Sequence, residues 1–141
     1  MLAFRHFARL LQNSHHFRNL EDRVDLINSD IVECEPKLEN GFYDVCMCSE
    51  LVYYLGARLS LNRTYELFGR IVEKLKPHSL LVMANTVGIP EDVPESILTI
   101  KPLIDIYYAM ISSHAVPASR AFYSESKGGR IYEYQIWSFT K

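Results

Sequence analysis

The residues best suited to chemistry lie in the stretch GFYDVCMCSELVYYL, residues 41–55. A turn signal at Asn40-Gly41 precedes a run of apolar, β-favouring residues that ends at the polar pair Ser49-Glu50. Such a run is typical of a central strand in a largely parallel sheet that helices cover on both faces. Because open α/β sheets bind ligands beyond the carboxyl ends of their strands, Ser49 and Glu50 are predicted to border a pocket.

The other reactive side chains give weaker signals. His15 and His16 are adjacent, but no cysteine or acid stands near them at metal-ligand spacing, so we interpret them as loop residues and predict no metal site. Of the 3 cysteines, Cys46 and Cys48 lie inside the strand-like run, where they serve as small hydrophobic residues. Unpaired cysteines fit a reducing compartment, so a cytoplasmic location is expected.

Length and composition limit the classes of function. A chain of 141 residues with 48% hydrophobic content is long enough for one domain with a sizeable core, and we predict a single domain over residues 1–141. A net charge of -2, with scattered Lys and Arg, gives no basic patch for nucleic acid. No stretch approaches the ~20 apolar residues that span a bilayer, so neither nucleic acid nor a membrane is the expected partner.

Several elements must position the stretch 41–55. An amphipathic helix is predicted over residues 2–12, and the alternating pattern of residues 24–31 predicts a short strand. Beyond residue 56, a helix that Pro77 ends is predicted to bury one stripe, formed by Leu61, Tyr65, Phe68, Val72 and Leu75. Residues 79–87 form another apolar run, and the order strand, helix, strand implies a right-handed parallel crossover.

A further helix precedes the last thirty residues, which differ in kind. A helix is predicted from Pro102, as its first residue, to Ser112, with a buried side formed by Leu103, Ile106, Tyr107 and Met110. Residues 118–126 and 130–140 are predicted to form an antiparallel hairpin through the turn at 127–129. Arg120, in the first of these strands, is interpreted as a solvated side chain.

The series DLINSDI, FYDVCMCSELVYYL, the helix ending ELFGRIVEKLKP and the strand SLLVMAN resembles class I S-adenosylmethionine-dependent methyltransferases. Within them it is most similar to the NodS-like group of small-molecule N-methyltransferases, over roughly residues 20–140. Each motif is short, and their order along the chain carries the resemblance. It implies a Rossmann-like α/β fold, with mostly parallel strands flanked by helices and a C-terminal antiparallel hairpin.

The resemblance also assigns roles to residues. It implies that Asp30 and Ile31 lie beside the adenine of S-adenosylmethionine, and that Ser49 lies near its methionine part. From the residues alone, Asp30 is also a good turn or helix N-cap residue after a strand.

On the acceptor side, the resemblance implies that Glu50 is catalytic, because a carboxylate can bind or deprotonate an amine. It implies that Tyr53 and Tyr54 shape the pocket for a small-molecule methyl acceptor, with nitrogen as one candidate atom. A solvated strand end for Glu50 and core packing for the tyrosines are the alternatives.

One departure from the family concerns glycine. The family builds its cofactor site on a glycine-rich loop after the first strand, whereas the first glycine here is Gly41 and no G-x-G pattern precedes it. We therefore expect an N-terminally truncated methyltransferase domain whose cofactor site is incomplete, unless a homo-oligomer or a partner chain completes it. The alternative function is a noncatalytic α/β interaction domain derived from a methyltransferase.

Overall fold

The computed structural model describes residue 27 and residues 29–88, 100–127 and 130–141. The chain divides into two compact units, Met1–Lys37 and Leu38–Lys141, and each is described by itself. The helix predicted over residues 2–12 and the pair His15-His16 lie outside the described residues.

In the first unit, a short helix, α1, spans Ile31–Cys34 and leads into a 3₁₀ turn, Glu35–Lys37. Asp30 is the N-cap of α1, and its Oδ1 accepts a hydrogen bond from the Val32 amide at 3.0 Å. The strand predicted over residues 24–31 is therefore wrong at its end, because Asp30 satisfies an unpaired amide of a helix that begins at Ile31. Residues 24–26 lie outside the described part of the chain.

The second unit holds a four-stranded sheet and three helices among its described residues. In chain order they are β1 (Tyr43–Ser49), α2 (Val52–Arg58), α3 (Leu61–Lys74), β2 (Leu75–Gly88), α4 (Ile100–Ser112), β3 (Val116–Lys127) and β4 (Arg130–Thr140). The strand order is β1-β2-β4-β3. β1 and β2 are parallel, and the other two pairings are antiparallel. The predicted parallel crossover and C-terminal hairpin are confirmed, but the prediction of a mostly parallel sheet is wrong, because the hairpin supplies half of the described strands.

β1 lies at the edge of the described sheet rather than at its centre. On one face, Cys46 and Cys48 stand beside the buried Leu81 and Met83 of β2. On the opposite face, the side chains at positions 45 and 47 are 58% and 70% exposed. The prediction of a strand buried on both faces is therefore wrong for this strand.

The helix α3 begins at an N-cap, Ser60, whose hydroxyl accepts a hydrogen bond from the Arg63 amide at 3.4 Å. Leu61 and Tyr65 of the predicted stripe are exposed, and the helix instead buries Thr64, Leu67, Phe68, Ile71, Val72 and Lys74. The predicted stripe is thus correct only in its second half. The helix ends at Lys74, before Pro77, because Leu75 already has extended backbone and begins β2.

The helix α4 packs on the same sheet face as Cys48, Leu81 and Met83. The ring of Tyr108 lies 5.3 Å, centroid to centroid, from the rings of both Trp137 and Phe139. The helix buries Ile104, Tyr107 and Ile111, whereas Ile106 of the predicted side is exposed.

Pro102 is the third residue of α4 rather than the first. A proline is tolerated there because the amides of the first helical turn have no intrahelical acceptor.

A glycine sets the approach of α2 to α4. A Cβ atom placed on Gly56 would collide with the hydroxyl of Tyr107 and would lie 3.7 Å from Cδ1 of Leu103. That hydroxyl is buried and has no hydrogen-bond partner among the described residues. Burial raises the pKa of the Tyr107 phenol. The contact is therefore tight, and it depends on the absence of a side chain at position 56.

Candidate functional site

Two described non-glycine residues of the second unit have a left-handed backbone, His78 in β2 with φ of 63° and the residue that follows β1. β1 ends at Ser49, and Glu50 follows with φ of 57°, in the left-handed region that few non-glycine residues adopt. The Glu50 amide donates to the carbonyl oxygen of Ala84 at 2.7 Å, which extends the pairing with β2 by one residue. Glu50 is thus fixed at the carboxyl end of the parallel strand pair.

The side chain of Glu50 is held as firmly as its backbone. Its Oε1 accepts a hydrogen bond from the Thr86 amide at 3.0 Å, and its Oε2 accepts one from the Thr86 hydroxyl at 2.9 Å. Hydrogen bonds to a charged group contribute about 1.5–3 kcal/mol each, enough to offset the roughly 1–3 kcal/mol that a strained backbone conformation costs. The two strand ends therefore hold a half-buried carboxylate in one orientation.

Ser49 and the tyrosine pair lie on the elements beside Glu50. The side chain of Ser49 is exposed. Tyr53 and Tyr54 are the second and third residues of α2, and the side chain of Tyr54 is 57% exposed. Core packing does not explain Tyr54, whereas the next residue, Leu55, is buried.

The two residues predicted to lie beside the adenine belong to the first unit. Asp30 caps α1, as the alternative interpretation of its type predicted, and Ile31 is half-buried at the start of that helix. Glu50 and Thr86 are brought together within the second unit, whereas Asp30 and Ile31 belong to the first.

The sequence reasoning missed Thr86. The available signal was a polar residue near the end of the second apolar run, because the carboxyl ends of parallel neighbours meet at one edge of a sheet. The preceding residue, Asn85, is fully buried, and neither of its amide atoms has a hydrogen-bond partner among the described residues.

A cleft of about 510 Å³ lies elsewhere, on the α3 side of the second unit. Its lining includes Gly69, Arg70, His114 and Lys141. The amide of Lys141 pairs with Ser79, near the beginning of β2, so the cleft lies toward the opposite end of β2 from Thr86. The cleft is lined by none of the predicted site residues, and its position does not favour it, since α/β sheets bind ligands at carboxyl strand ends.

The described residues also lack two other kinds of site. They contain no group of three or more His, Cys, Asp or Glu side chains that could hold a metal ion. Within the same ranges, no helix has the length and apolar content needed to cross a membrane.

Comparison with known proteins gives a fold. No family model and no curated protein matches the sequence. Among solved structures, the N-methyltransferase NodS from Bradyrhizobium japonicum WM9, in complex with S-adenosyl-L-homocysteine, matches with a TM-score of 0.65 at 13% identity. The match covers 97% of this chain and 62% of the NodS chain. The chain has a NodS-like class I methyltransferase fold.

Two further structures share this NodS-like fold. An S-adenosylmethionine-dependent methyltransferase from Archaeoglobus fulgidus matches with a TM-score of 0.54 at 13% identity, over 98% of this chain and 82% of its own. An O-methyltransferase family protein from Burkholderia thailandensis matches with a TM-score of 0.52 at 18% identity, over 94% of this chain and 40% of its own. Since the present chain spans 62% of NodS and identities are low, the likeness establishes the fold alone.

Proposed function

We propose that this chain is part of an S-adenosylmethionine-dependent methyltransferase that acts on a small molecule, and that the ends of β1 and β2 form its acceptor side. The observation that carries the proposal is the geometry of Glu50, a non-glycine residue at φ of 57° whose carboxylate is bound twice by Thr86. Strained residues that their surroundings hold in place cluster at functional sites. The matches to methyltransferase structures favour this chemistry over others that an α/β sheet can support.

The cofactor supplies a methyl group already activated on a sulfonium, so the protein's main task is to align the acceptor and exclude water. In this proposal, the carboxylate of Glu50 binds a protonated amine or accepts its proton. Ser49 is the last residue of β1, and Tyr53 and Tyr54 lie in the first turn of α2, which begins three residues later. Ser49 would contact the methionine part of the cofactor, and the tyrosines would contact the acceptor.

The residues of this chain could hold only part of S-adenosylmethionine. Asp30 and Ile31 are proposed for the adenine, although Oδ1 of Asp30 already accepts a hydrogen bond as an N-cap. The sequence has no glycine before Gly41 to let a backbone approach the cofactor closely. We therefore include in the proposal that residues 1–141 form one partial methyltransferase domain, completed by a glycine-rich segment of a partner chain.

Nitrogen is the acceptor atom we propose. NodS is an N-methyltransferase, and the Burkholderia thailandensis protein belongs to an O-methyltransferase family, so the fold accommodates both. A carboxylate at the acceptor side favours nitrogen, because it pairs with an ammonium ion before transfer.

A transfer assay tests the proposal. The full chain is incubated with millimolar radiolabelled S-adenosylmethionine and a panel of small amines and alcohols, so that even a weak cofactor site is partly filled. We expect transfer to an amine, a loss of about 100-fold in the Glu50→Gln variant, and no change in the matched control Glu66→Gln on exposed α3 surface. No transfer to any acceptor, or equal activity of both variants, would contradict the proposal.

Calorimetry tests the cofactor part separately. Because the glycine-rich loop is missing from the sequence, S-adenosylhomocysteine is expected to bind the chain more weakly than micromolar. Micromolar binding to the chain alone would show that the cofactor site is complete without another segment, and it would leave the acceptor-side proposal standing.

The second candidate function, a noncatalytic interaction domain, is favoured by the sheet face opposite α4. Val45 and Met47 of β1 and Ile136 of β4 are 41–70% exposed there, and exposed apolar side chains on one sheet face are typical of an interaction surface. Sedimentation velocity at increasing concentration tests it. A monomer at all concentrations would contradict self-association through this face.

A further inference from the structure

Two tyrosines of the C-terminal hairpin lie in line with the carboxylate of Glu50. Tyr134 of β4 is the register partner of Thr86, and Tyr123 of β3 is the register partner of Tyr134. Directly opposed side chains lie on the same face of a sheet, and Tyr134 shares the face opposite α4 with Ile136, two residues along β4. Since the Thr86 hydroxyl binds Oε2 of Glu50, one row across the four strands joins a carboxylate to two aromatic rings.

The two rings are close to each other and reachable from solvent. Their centroids are 6.1 Å apart, and the ring planes are inclined by 36°. Tyr123 is 55% exposed, and Tyr134 is half-buried. The pair therefore offers aromatic surface to a small ligand at the end of β2 where Glu50 is held.

The surroundings of the rings are negatively charged. Glu125 follows Tyr123 by two residues in β3, so its side chain lies on the same face. Burial raises the pKa of Tyr134, and the charges of Glu125 and Glu50 raise it further. Two carboxylates thus place a negative potential at the tyrosine pair, and such a potential attracts cations and repels anions.

We propose that Glu50, Tyr134 and Tyr123 form a binding site for an organic cation, namely an alkylated amine with no acidic group beside its nitrogen. The alkyl groups of the cation contact the tyrosine rings, and its charge is balanced by the Glu50 carboxylate. An acidic substituent beside the nitrogen would be repelled by Glu50 and Glu125. The site rests on the function proposed above, in which Glu50 forms the acceptor side, and it adds the class of acceptor and two residues that bind it.

Choline is a suitable probe, because its quaternary nitrogen has no lone pair to accept a methyl group and its binding is measured without the cofactor. Its neutral isostere, in which a carbon atom replaces the nitrogen, has the same shape without the charge. The full chain is titrated with each compound, and binding is followed by the amide resonances in two-dimensional NMR spectra. We expect choline to bind at least about threefold more tightly than the isostere, with the largest shifts around Thr86 and Tyr134.

Variants at the tyrosines test the role of the rings. Tyr134→Leu should weaken choline binding about three- to fivefold, whereas Tyr134→Phe, which keeps a ring, should weaken it less than about twofold. The matched control, Tyr65→Leu at an exposed tyrosine of α3, should leave binding unchanged. Circular dichroism establishes that each variant is folded. If Tyr134→Leu fails to fold, Tyr123→Leu decides in its place, because β3 lies at the edge of the described sheet.

Three results would overturn the cation site. They are a failure of choline to bind, equal affinity for choline and its neutral isostere, and equal effects of Tyr134→Leu and Tyr65→Leu. Choline binding as expected in a chain that transfers no methyl group would contradict the proposed transfer and leave the cation site standing. Transfer to an amine without the preference for choline would contradict the cation site alone.

Discussion

The two faces of the sheet use similar residues in different ways. On the face that α4 covers, Leu81, Met83, Trp137 and Phe139 are each at most 1% exposed. On the opposite, open face, apolar side chains of β1 and β4 remain largely exposed. Burial stabilises a fold by about 25 cal/mol per Å² of apolar surface, so most of the sheet's stabilisation comes from the covered face. Apolar character therefore does not by itself reveal which face of a strand carries the core.

Polar side chains on the covered face also form a hydrogen-bonded network. Oε1 of the buried Gln135 accepts hydrogen bonds from Nε1 of Trp137 and from Nε of Arg120, each at 2.9 Å. The Arg120 guanidinium pairs with Asp105 of α4 and lies 4.7 Å from the ring centre of Tyr108. Arg120 is exposed, as predicted, and it also links α4 to the hairpin.

Removal of a large side chain from the covered face should have the largest effect. We expect Phe139→Ala to lower the free energy of unfolding by about 3–5 kcal/mol, because it leaves a cavity beneath Tyr108. Urea denaturation measures the change. The matched control, Ile136→Ala on the open face of the same strand, should cost roughly 1 kcal/mol or less. Equal losses in the two variants would contradict the contrast between the faces.

The second-largest loss of stability is expected from a substitution at the contact between α2 and α4. We expect Gly56→Ala to destabilise the chain by about 1–3 kcal/mol, because its methyl group would overlap the hydroxyl of Tyr107, whose ring is packed edge-on against Phe68. In a Tyr107→Phe background the overlap disappears, and alanine should then stabilise the helix by up to ~1 kcal/mol relative to glycine. A double-mutant cycle with thermal or urea unfolding measures the coupling.

Tyr107→Phe alone is the control for that cycle. It removes a buried hydroxyl that has no hydrogen-bond partner among the described residues, so it should leave stability unchanged or raise it slightly. Additive effects of the two substitutions would show that the hydroxyl does not set the distance between α2 and α4.

The Arg120 network should contribute less. We expect Arg120→Ala to lower the free energy of unfolding by about 1–2 kcal/mol, through loss of the cation–π contact and the hydrogen bond to Gln135. Asp105→Asn should cost roughly 0–1 kcal/mol, because the Asp105 carboxylate is mostly exposed and water and salt screen its ion pair. If Asp105→Asn cost as much as Arg120→Ala, the ion pair and not the stacking would hold the hairpin to α4.

The sequence predicted the type of most described elements, because their periodicities were strong. The long helix α3 and the hairpin are examples, and both are where the pattern placed them. The exact buried side was harder to predict. Around α3, Leu61 and Tyr65 fit a helical stripe as well as Leu67 and Ile71 do, and only the position of the sheet decides between them.

The candidate site was predictable in position but not in detail. The polar pair Ser49-Glu50 after an apolar run indicated the strand end correctly. The positive φ of Glu50 and its bonds to Thr86 depend on the register between β1 and β2, which no local pattern in either strand reports. Ile31 was mispredicted for a different reason, since two local signals conflicted there and the N-cap at Asp30 outweighed the alternating strand pattern.

Substitutions on the open face should change the stability of the chain least and its self-association most. We expect Met47→Ser to change the free energy of unfolding by about 0.5 kcal/mol or less, because the Met47 side chain is 70% exposed. Met83→Ser, at a buried position on the neighbouring strand, should cost several-fold more. Urea denaturation measures the stability of both variants, and sedimentation velocity measures their self-association.

If another copy of the chain covers the open face, Met47→Ser will reduce the sedimenting mass while preserving stability. If Met47→Ser instead destabilises a monomer as much as Met83→Ser, the face is already covered within the chain, and the contrast between the two faces is wrong.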